Sequence, residues 1–266
     1  MTAGDRVSGQ RRAPSVLSGY FVVLLVLLYL PLAILFLFSI NDNTILVFPL
    51  KGLTLQWYDK ALDTPAAIDA VRNSIIVATG SSLVATALAT MLAILVTRFQ
   101  FRGKPIVLGL AFLPLVVPYL VLGVALLLLF AAFDVPRSLW TIGIAHTVVA
   151  LPFALLIVAS RLVGMPRSIE EAAMDLGSSY LTTLRRIVLP IAFPSIVAAW
   201  LVAFTVSFDE FALALFLVGT EPTLPVFIYG QLRFASRLPM LVALVMLVML
   251  GSLAFALLAE RIRRRD

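Results

Sequence analysis

The chain of 266 residues is 62% hydrophobic and only 13% charged, and its mean hydropathy is +1.08. Soluble domains are about half apolar and a quarter charged, so this composition indicates an integral membrane protein. The chain has no cysteine and a single histidine, His146, which excludes disulfides, thiol-based redox centres and histidine-cluster metal sites.

Six apolar segments are each long enough to cross a bilayer, for which an α-helix needs about 20 residues. They are predicted at residues 20–40, 71–96, 105–130, 139–162, 191–218 and 239–259. The first segment follows basic residues, as a secretory signal would. It is too long for the apolar region of a signal peptide and no small-x-small cleavage site follows, so we predict a retained span. The sequence therefore predicts an all-α membrane protein with six transmembrane helices.

The positions of the basic residues predict which side of the membrane each loop faces. The net charge is +6, and 14 of the 20 Lys and Arg residues fall on the side of the two termini. Cytoplasmic loops carry an excess of Lys and Arg, so we predict cytoplasmic termini. The predicted organisation is a cytoplasmic N-terminal tail at 1–17, a transmembrane domain at 18–260 and a basic cytoplasmic tail at 261–266. The transmembrane domain includes a long cytoplasmic loop at 163–190.

Three of the predicted spans contain residues that favour contact with other helices. The third span contains Pro114 and Pro118, which are expected to kink it. His146, in the fourth span, is interpreted as a hydrogen-bonded packing residue, because no other titratable residue lies within a helical turn of it. The second span is rich in small residues that let helix backbones approach closely, namely Ala78, Gly80, Ser81, Ser82, Ala85 and Ala89.

A polar segment from Ser168 to Pro190 interrupts the apolar sequence. Ser168 followed three residues later by Glu171 is a capping-box pattern, which predicts that a short helix begins at Ser168. Gly177 can end that helix in a left-handed backbone conformation, and Pro190 is expected to break any helix that would contain it. We therefore predict a short exposed helix between two spans, which is a geometry suited to contact with a partner.

This segment resembles the EAA motif of permease subunits from bacterial ABC importers. The matching pattern is Glu171-Ala172-Ala173, three residues, Gly177, nine residues and Ile187-x-Leu189-Pro190. In that family the loop forms the coupling helix, which seats in a groove of the cytoplasmic ATPase. The resemblance implies that the ATPase-coupling residues are Glu171, Ala172, Ala173, Asp175, Gly177, Leu189 and Pro190. The alternative is that Glu171 only caps its own helix and Gly177 only ends it, and the two roles are compatible.

The resemblance covers most of residues 18–259 and is similar to the permeases of spermidine/putrescine-type importers. It is carried by Trp57-Tyr58, Asn73-Ser74, Phe101–Pro105, Ala145-His146, Leu151–Phe153, Ser207–Glu210, Leu224-Pro225 and Ile228-Tyr229. It implies a type I ABC importer permease fold in the bacterial inner membrane. It also implies three kinds of partner: a second permease subunit or a second copy, two cytoplasmic ATPase subunits, and an extracytoplasmic substrate-binding protein.

The chain contains no phosphate-binding sequence of the form Gly-x-x-x-x-Gly-Lys-Ser/Thr. The nearest approach is Gly103-Lys104, which lacks the upstream glycine and is followed by proline. We therefore expect no cofactor and no enzymatic activity in this chain. The resemblance implies that ATP and Mg²⁺ bind in the partner ATPase.

Two adjacent acids, Asp209 and Glu210, lie within the predicted fifth span. A carboxylate at membrane depth costs about 2.5–3.5 kcal/mol, so it is expected to face protein or water and to mark a pathway. The candidate substrate-path and gate residues are Ser207, Phe208, Asp209 and Glu210.

Adjacent helix positions point about 100° apart, so one acid is expected to face the path. Asp209 is favoured because it matches the family pattern, which has aspartate at both positions. The alternative is a structural ion pair with Arg233 or Arg237.

Aromatic residues beside these acids favour a cationic substrate, because Phe208 and Phe211 present faces that attract ammonium groups. We therefore expect a permease subunit that forms the path for a small, polyamine-like cation delivered by a binding protein. Related permeases serve ferric iron, thiamine, opines and aminophosphonates, and these remain alternative ligands.

A protein of a different class, a stand-alone ion-coupled secondary transporter or channel, is also considered. Such transporters often have inverted repeats or paired broken helices, and the sequence shows no comparable duplication.

Overall fold

The computed structural model describes residues 15–263. Residues 1–14 of the predicted N-terminal tail and residues 264–266 of the predicted basic tail therefore lie outside the described residues. The chain divides into two compact units, which we call the terminal unit (Met1–Thr64 with Gln231–Asp266) and the central unit (Pro65–Gly230).

The terminal unit is built from helices at the two ends of the chain. Its elements are α1 (Ser15–Ser39), α2 (Gln56–Leu62), a 3₁₀ turn (Ala235–Arg237) and α12 (Leu238–Arg263). Both α1 and α2 pack against α12. The segment before α2 is fixed by Trp57, which is buried and whose indole N–H donates to the Asn41 carbonyl oxygen at 2.9 Å. Trp57 thus places an irregular segment against α2 with its polar atom satisfied.

The central unit contains the remaining helices and both candidate sites. They are α3 (Pro65–Arg98), α4 (Lys104–Val116), α5 (Tyr119–Ala132), α6 (Leu139–Val163), α7 (Ser168–Asp175), α8 (Tyr180–Thr183), a π-helical segment (Leu184–Val188), α9 (Leu189–Phe208), α10 (Ala212–Leu217) and α11 (Leu224–Gln231). Helices α3, α6 and α9 pack against one another and form its core.

The packing of α3 explains its unusual number of small residues. Five of the six small residues named above are buried and recur at helical spacing along one face: Ala78, Ser81, Ser82, Ala85 and Ala89. Small side chains let α6 and α9 approach closely, where lipid provides no hydrophobic drive for association. Gly80 was predicted to allow close approach of another helix, but it does not, because a side chain added there would have open space around it.

Within residues 15–263, five helices are long and apolar enough to cross a membrane, and the bent pair α4–α5 makes six if it counts as one span. The six-helix prediction is thereby confirmed. The predicted third span, 105–130, is not one straight helix, because α4 and α5 are bent by 111°. The break lies at Val117, which is extended and precedes Pro118. The proline ring disfavours the helical region for the residue before it, and Val117 takes the extended conformation, so α4 ends there.

The fifth span lies further towards the N-terminus than the predicted 191–218. One continuous helical stretch of 29 residues runs from Tyr180 to Phe208. Pro190 lies within this stretch and does not break it, contrary to the prediction. Within the stretch, the π-helical segment Leu184–Val188 ends just before Pro190. Proline lacks an N–H and its ring collides with the carbonyl four residues earlier, so a locally wider π turn accommodates it.

Candidate functional site

Helix α7 is the short helix predicted in the polar segment, and it begins at Ser168 as expected. The predicted capping box is wrong, because Arg167 occupies the cap position and no side chain bonds there. Instead, the carbonyl oxygen of Arg167 accepts from the backbone N–H groups of Glu170 and Glu171 at 2.9 and 3.0 Å. Both glutamates lie in the first turn, where negative charge is stabilised by the helix dipole.

The other end of α7 is closed by Gly177, whose φ is +91°. The N–H of Gly177 donates to the Met174 carbonyl at 2.9 Å, and the N–H of Ser178 donates to the Ala173 carbonyl at 3.1 Å. This pair of bonds is a Schellman motif, which needs a left-handed residue at the position of Gly177. The predicted left-handed exit is therefore confirmed.

Most of the surface of α7 faces away from the rest of the central unit. Among the predicted coupling residues, Glu171, Ala172, Asp175 and Gly177 are exposed, as is Pro190, whereas Ala173 and Leu189 are half-buried. The exposed surface also carries large apolar side chains: Ile169 and Met174 are each 40% exposed, and Leu176 is 90% exposed. These residues form a mixed apolar and acidic surface of the kind that a protein partner can cover.

Glu170 is the exception on α7, and sequence reasoning missed it. Its side chain is 7% exposed and its Oε1 lies 2.7 Å from Nη2 of Arg98, the last residue of α3. Sequence reasoning concentrated on Glu171, which belongs to the recognised motif. The available signal was Arg98, an arginine at the end of a long apolar span, because a buried arginine needs a charged partner.

The two adjacent acids lie just beyond the end of α9, not inside a span as predicted. Asp209 is the C-terminal cap of α9, and α10 begins at Ala212. The two side chains have different surroundings, because Asp209 is exposed whereas Glu210 is only 6% exposed.

Glu210 is held by the start of α10 and by a histidine. Its carboxylate accepts from the backbone N–H groups of Leu213, at 3.0 Å, and Ala214, at 3.1 Å. Its Oε2 also lies 3.2 Å from Nε2 of His146 on α6. The side-chain partner of this acid is therefore a histidine and not Arg233 or Arg237. A buried carboxylate that accepts several hydrogen bonds fixes the junction between α9 and α10.

His146 belongs to a chain of buried polar groups across three helices. Its Nδ1 lies 2.8 Å from Oγ of Ser207, which in turn lies 2.8 Å from Oγ of Ser81 on α3. The interpretation of His146 as a hydrogen-bonded packing residue is confirmed, since it is 1% exposed. A titratable group nevertheless lies beside it, because Glu210 approaches from the junction between α9 and α10. Sequence spacing along α6 could not show this.

Asp209 stands at the end of a series of aromatic side chains. The rings of Trp200, Phe204 and Phe208 follow one another along α9, with centroids 6.3 and 5.8 Å apart. Within residues 15–263, the Asp209 carboxylate makes no side-chain hydrogen bond or ion pair. An exposed carboxylate that follows an aromatic residue directly in the chain can attract an organic cation through its charge, and the ring can add its face.

The comparisons with known proteins identify the family. Residues 85–265 match the family described as "Binding-protein-dependent transport system inner membrane component". The chain belongs to this family. It is 32% identical over 247 residues to the spermidine/putrescine transport system permease protein PotC of Escherichia coli K12, covering 92% of this chain and 93% of PotC. It is 35% identical over 275 residues to the putrescine transport system permease protein PotI of the same strain, covering 95% and 96%.

The fold is also similar to that of a solved transporter chain. The match is to a bacterial ABC transporter involved in the import of the acidic polysaccharide alginate, with a TM-score of 0.75 and 14% identity. It covers 97% of this chain and 99% of that chain. The chain is therefore a multi-pass membrane protein with an ABC importer permease fold, and it is a permease subunit, as the EAA-like segment predicts. Its relatives are transport permeases and not enzymes.

Proposed function

We propose that this permease subunit forms the translocation path for a small organic cation of the polyamine type. The observation that carries the proposal is the exposed carboxylate of Asp209 at the end of the aromatic series on α9. The relatives named for spermidine and putrescine support the same substrate class. Asp209 would attract the cation, and Phe208 would provide an adjacent ring face.

The two acids have different roles in the proposed function, because Glu210 is buried and Asp209 is exposed. Glu210 already accepts hydrogen bonds from α10 and contacts His146, so its charge is compensated within the protein. Among the residues that the structure describes, Asp209 has no such compensation, and it is available to a passing cation. One exposed acid gives weak, reversible binding, which suits a path that must release its substrate. Ser207 would act indirectly, because its hydroxyl is used by His146 and Ser81.

The proposed complex contains a second permease subunit, two cytoplasmic ATPase subunits and an extracytoplasmic binding protein. The exposed surface of α7, with Glu171, Met174 and Leu176, would contact the ATPase. ATP and Mg²⁺ would bind in that partner. The Lys and Arg asymmetry supports cytoplasmic termini and a cytoplasmic α7 in the bacterial inner membrane.

The substitution Asp209→Asn tests the substrate class. It keeps the size of the side chain and removes the charge, so uptake of radiolabelled putrescine should fall roughly 10–100-fold, the worth of an interaction with a charged group. Assembly with the ATPase should be unchanged. Asp134→Asn is the matched control, because Asp134 is an exposed acid at a loop position with φ of 53°, which asparagine tolerates.

Two results would contradict the proposed substrate class. The first is putrescine uptake by the Asp209→Asn complex at the rate of the Asp134→Asn complex. The second is uptake in which anions compete with the labelled substrate and putrescine or spermidine does not.

A further inference from the structure

One arginine joins the ends of three helices on the side of the central unit where α7 lies. Arg98 is the last residue of α3, and its side chain is 6% exposed. Its Nη2 lies 2.7 Å from Oε1 of Glu170 on α7. Its Nη1 donates to the carbonyl oxygen of Leu162 at 2.9 Å, in the last turn of α6. The guanidinium group therefore connects the ends of α3, α6 and α7 through one ion pair and one hydrogen bond.

A second arginine strengthens the same junction from the opposite direction. Arg167, which precedes α7, donates from Nη2 to the carbonyl oxygen of Thr97 at 2.7 Å. Thr97 and Arg98 are neighbours at the end of α3, so both contacts reach the same point. Glu170 is the one residue of α7 that is buried, and the rest of the helix is exposed or half-buried. The ion pair and the hydrogen bond that reach α3 from α7 and Arg167 are thus made by charged groups.

Whether these contacts are apolar or charged determines how a displacement of α7 would be transmitted to α3. Apolar surfaces can slide over one another with little change in buried area, because the hydrophobic effect has no direction. A buried ion pair cannot slide in this way, because separation leaves two unpaired charges out of water. A shift of Glu170 must therefore move Arg98 with it or break the pair.

Helix α3, which ends at Arg98, also reaches the buried polar groups beside Glu210. Ser81 lies 17 residues earlier on α3, roughly 25 Å along the axis at 1.5 Å per residue. Its hydroxyl contacts Ser207, which contacts His146 beside Glu210. A continuous helix with polar contacts at both places is a physical connection between α7 and the junction of α9 and α10.

We propose that the Arg98–Glu170 ion pair is the rigid link that transmits a displacement of α7 to α3 and α6. Arg98 and Glu170 are positioning residues in this scheme, because they touch neither the substrate nor ATP. The inference rests on the proposed function, in which a partner ATPase moves α7. It adds the connection through which that movement enters the membrane helices.

The test measures putrescine taken up per ATP hydrolysed, in proteoliposomes that contain the complete complex of permeases, ATPases and binding protein. Arg98→Gln and Glu170→Gln each remove one charge from the pair. Arg98→Lys keeps the positive charge and is the conservative variant. Arg102→Gln is the matched control, because Arg102 lies four residues beyond Arg98, is exposed and makes no ion pair within the described residues.

We expect Arg98→Gln and Glu170→Gln to hydrolyse ATP while uptake per ATP falls roughly 5–150-fold, the usual range of coupling between sites. Arg98→Lys should retain most of the coupling, and Arg102→Gln should match the wild type. Wild-type coupling in Glu170→Gln would overturn the inference, as would an equal loss in Arg98→Lys and Arg98→Gln. If the wild-type complex itself shows no ATP-dependent uptake, the proposed function fails, and that result is distinct from either outcome.

Discussion

Gly177→Asp is expected to abolish ATP-dependent uptake while the permease still inserts into the membrane. Gly177 has a φ of +91° and closes α7 with two backbone hydrogen bonds. A residue with a Cβ pays about 1–2 kcal/mol to adopt a left-handed conformation, so the turn after α7 should open or shift. A Cβ added there would meet no atom within 4 Å, so the effect arises from the backbone and not from a clash.

The matched control for this prediction is Gly164→Asp. Gly164 caps α6 with a φ of −74°, which any residue can adopt, and it lies in the same loop. The substitution Gly164→Asp therefore introduces the same charge without the backbone strain, and we expect a much smaller loss of uptake. The measurement is uptake together with co-purification of the ATPase, at equal amounts of inserted permease. Normal uptake by Gly177→Asp would refute the assignment of α7 as the coupling helix.

Glu210→Gln is expected to destabilise the junction between α9 and α10. The glutamine keeps one acceptor oxygen but loses the charge that the N–H groups of Leu213 and Ala214 and the ring of His146 surround. Hydrogen bonds to charged groups contribute about 1.5–3 kcal/mol each, so the thermal stability of the complex should fall together with uptake. Asp209→Asn should lower uptake without this loss of stability, because the Asp209 side chain is exposed.

A double-mutant cycle checks the role of Glu210. Glu210→Gln, His146→Ala and the double variant should show a coupling energy of about 0.5–3 kcal/mol, because the two side chains are in contact. Additive effects on the stability of the complex would show that the pair does not act as a unit. Equal thermal stability of the Glu210→Gln and Asp209→Asn complexes would contradict the division of roles between the two acids.

The sequence predicted what depends on composition and on short motifs. Long apolar runs indicated the membrane helices, and Gly177 indicated the left-handed end of α7, because each signal is local. The boundary of the fifth span was wrong because the hydrophobic run continues past Phe208 into α10, and hydropathy does not detect the cap at Asp209. The break at Val117 had a local signal in Pro118, but the size of the bend depends on packing.

The pairs that hold both sites together could not be predicted in the same way. Arg98 and Glu170 are separated by 71 other residues, and His146 and Glu210 by 63. No spacing rule relates residues on different helices, and the helix packing that brings them together depends on small residues such as Ala85 and Ala89. The capping box failed for a related reason, because the Arg167 carbonyl oxygen already accepts from the Glu171 N–H, which the Ser168 side chain would otherwise bind.

The most direct test of the central claim is putrescine uptake into proteoliposomes that contain the purified complex with its binding protein. We expect uptake to require ATP and the partner ATPase, and we expect other polyamines to compete whereas anions do not. Uptake by this permease without the ATPase, driven by an ion gradient alone, would contradict it.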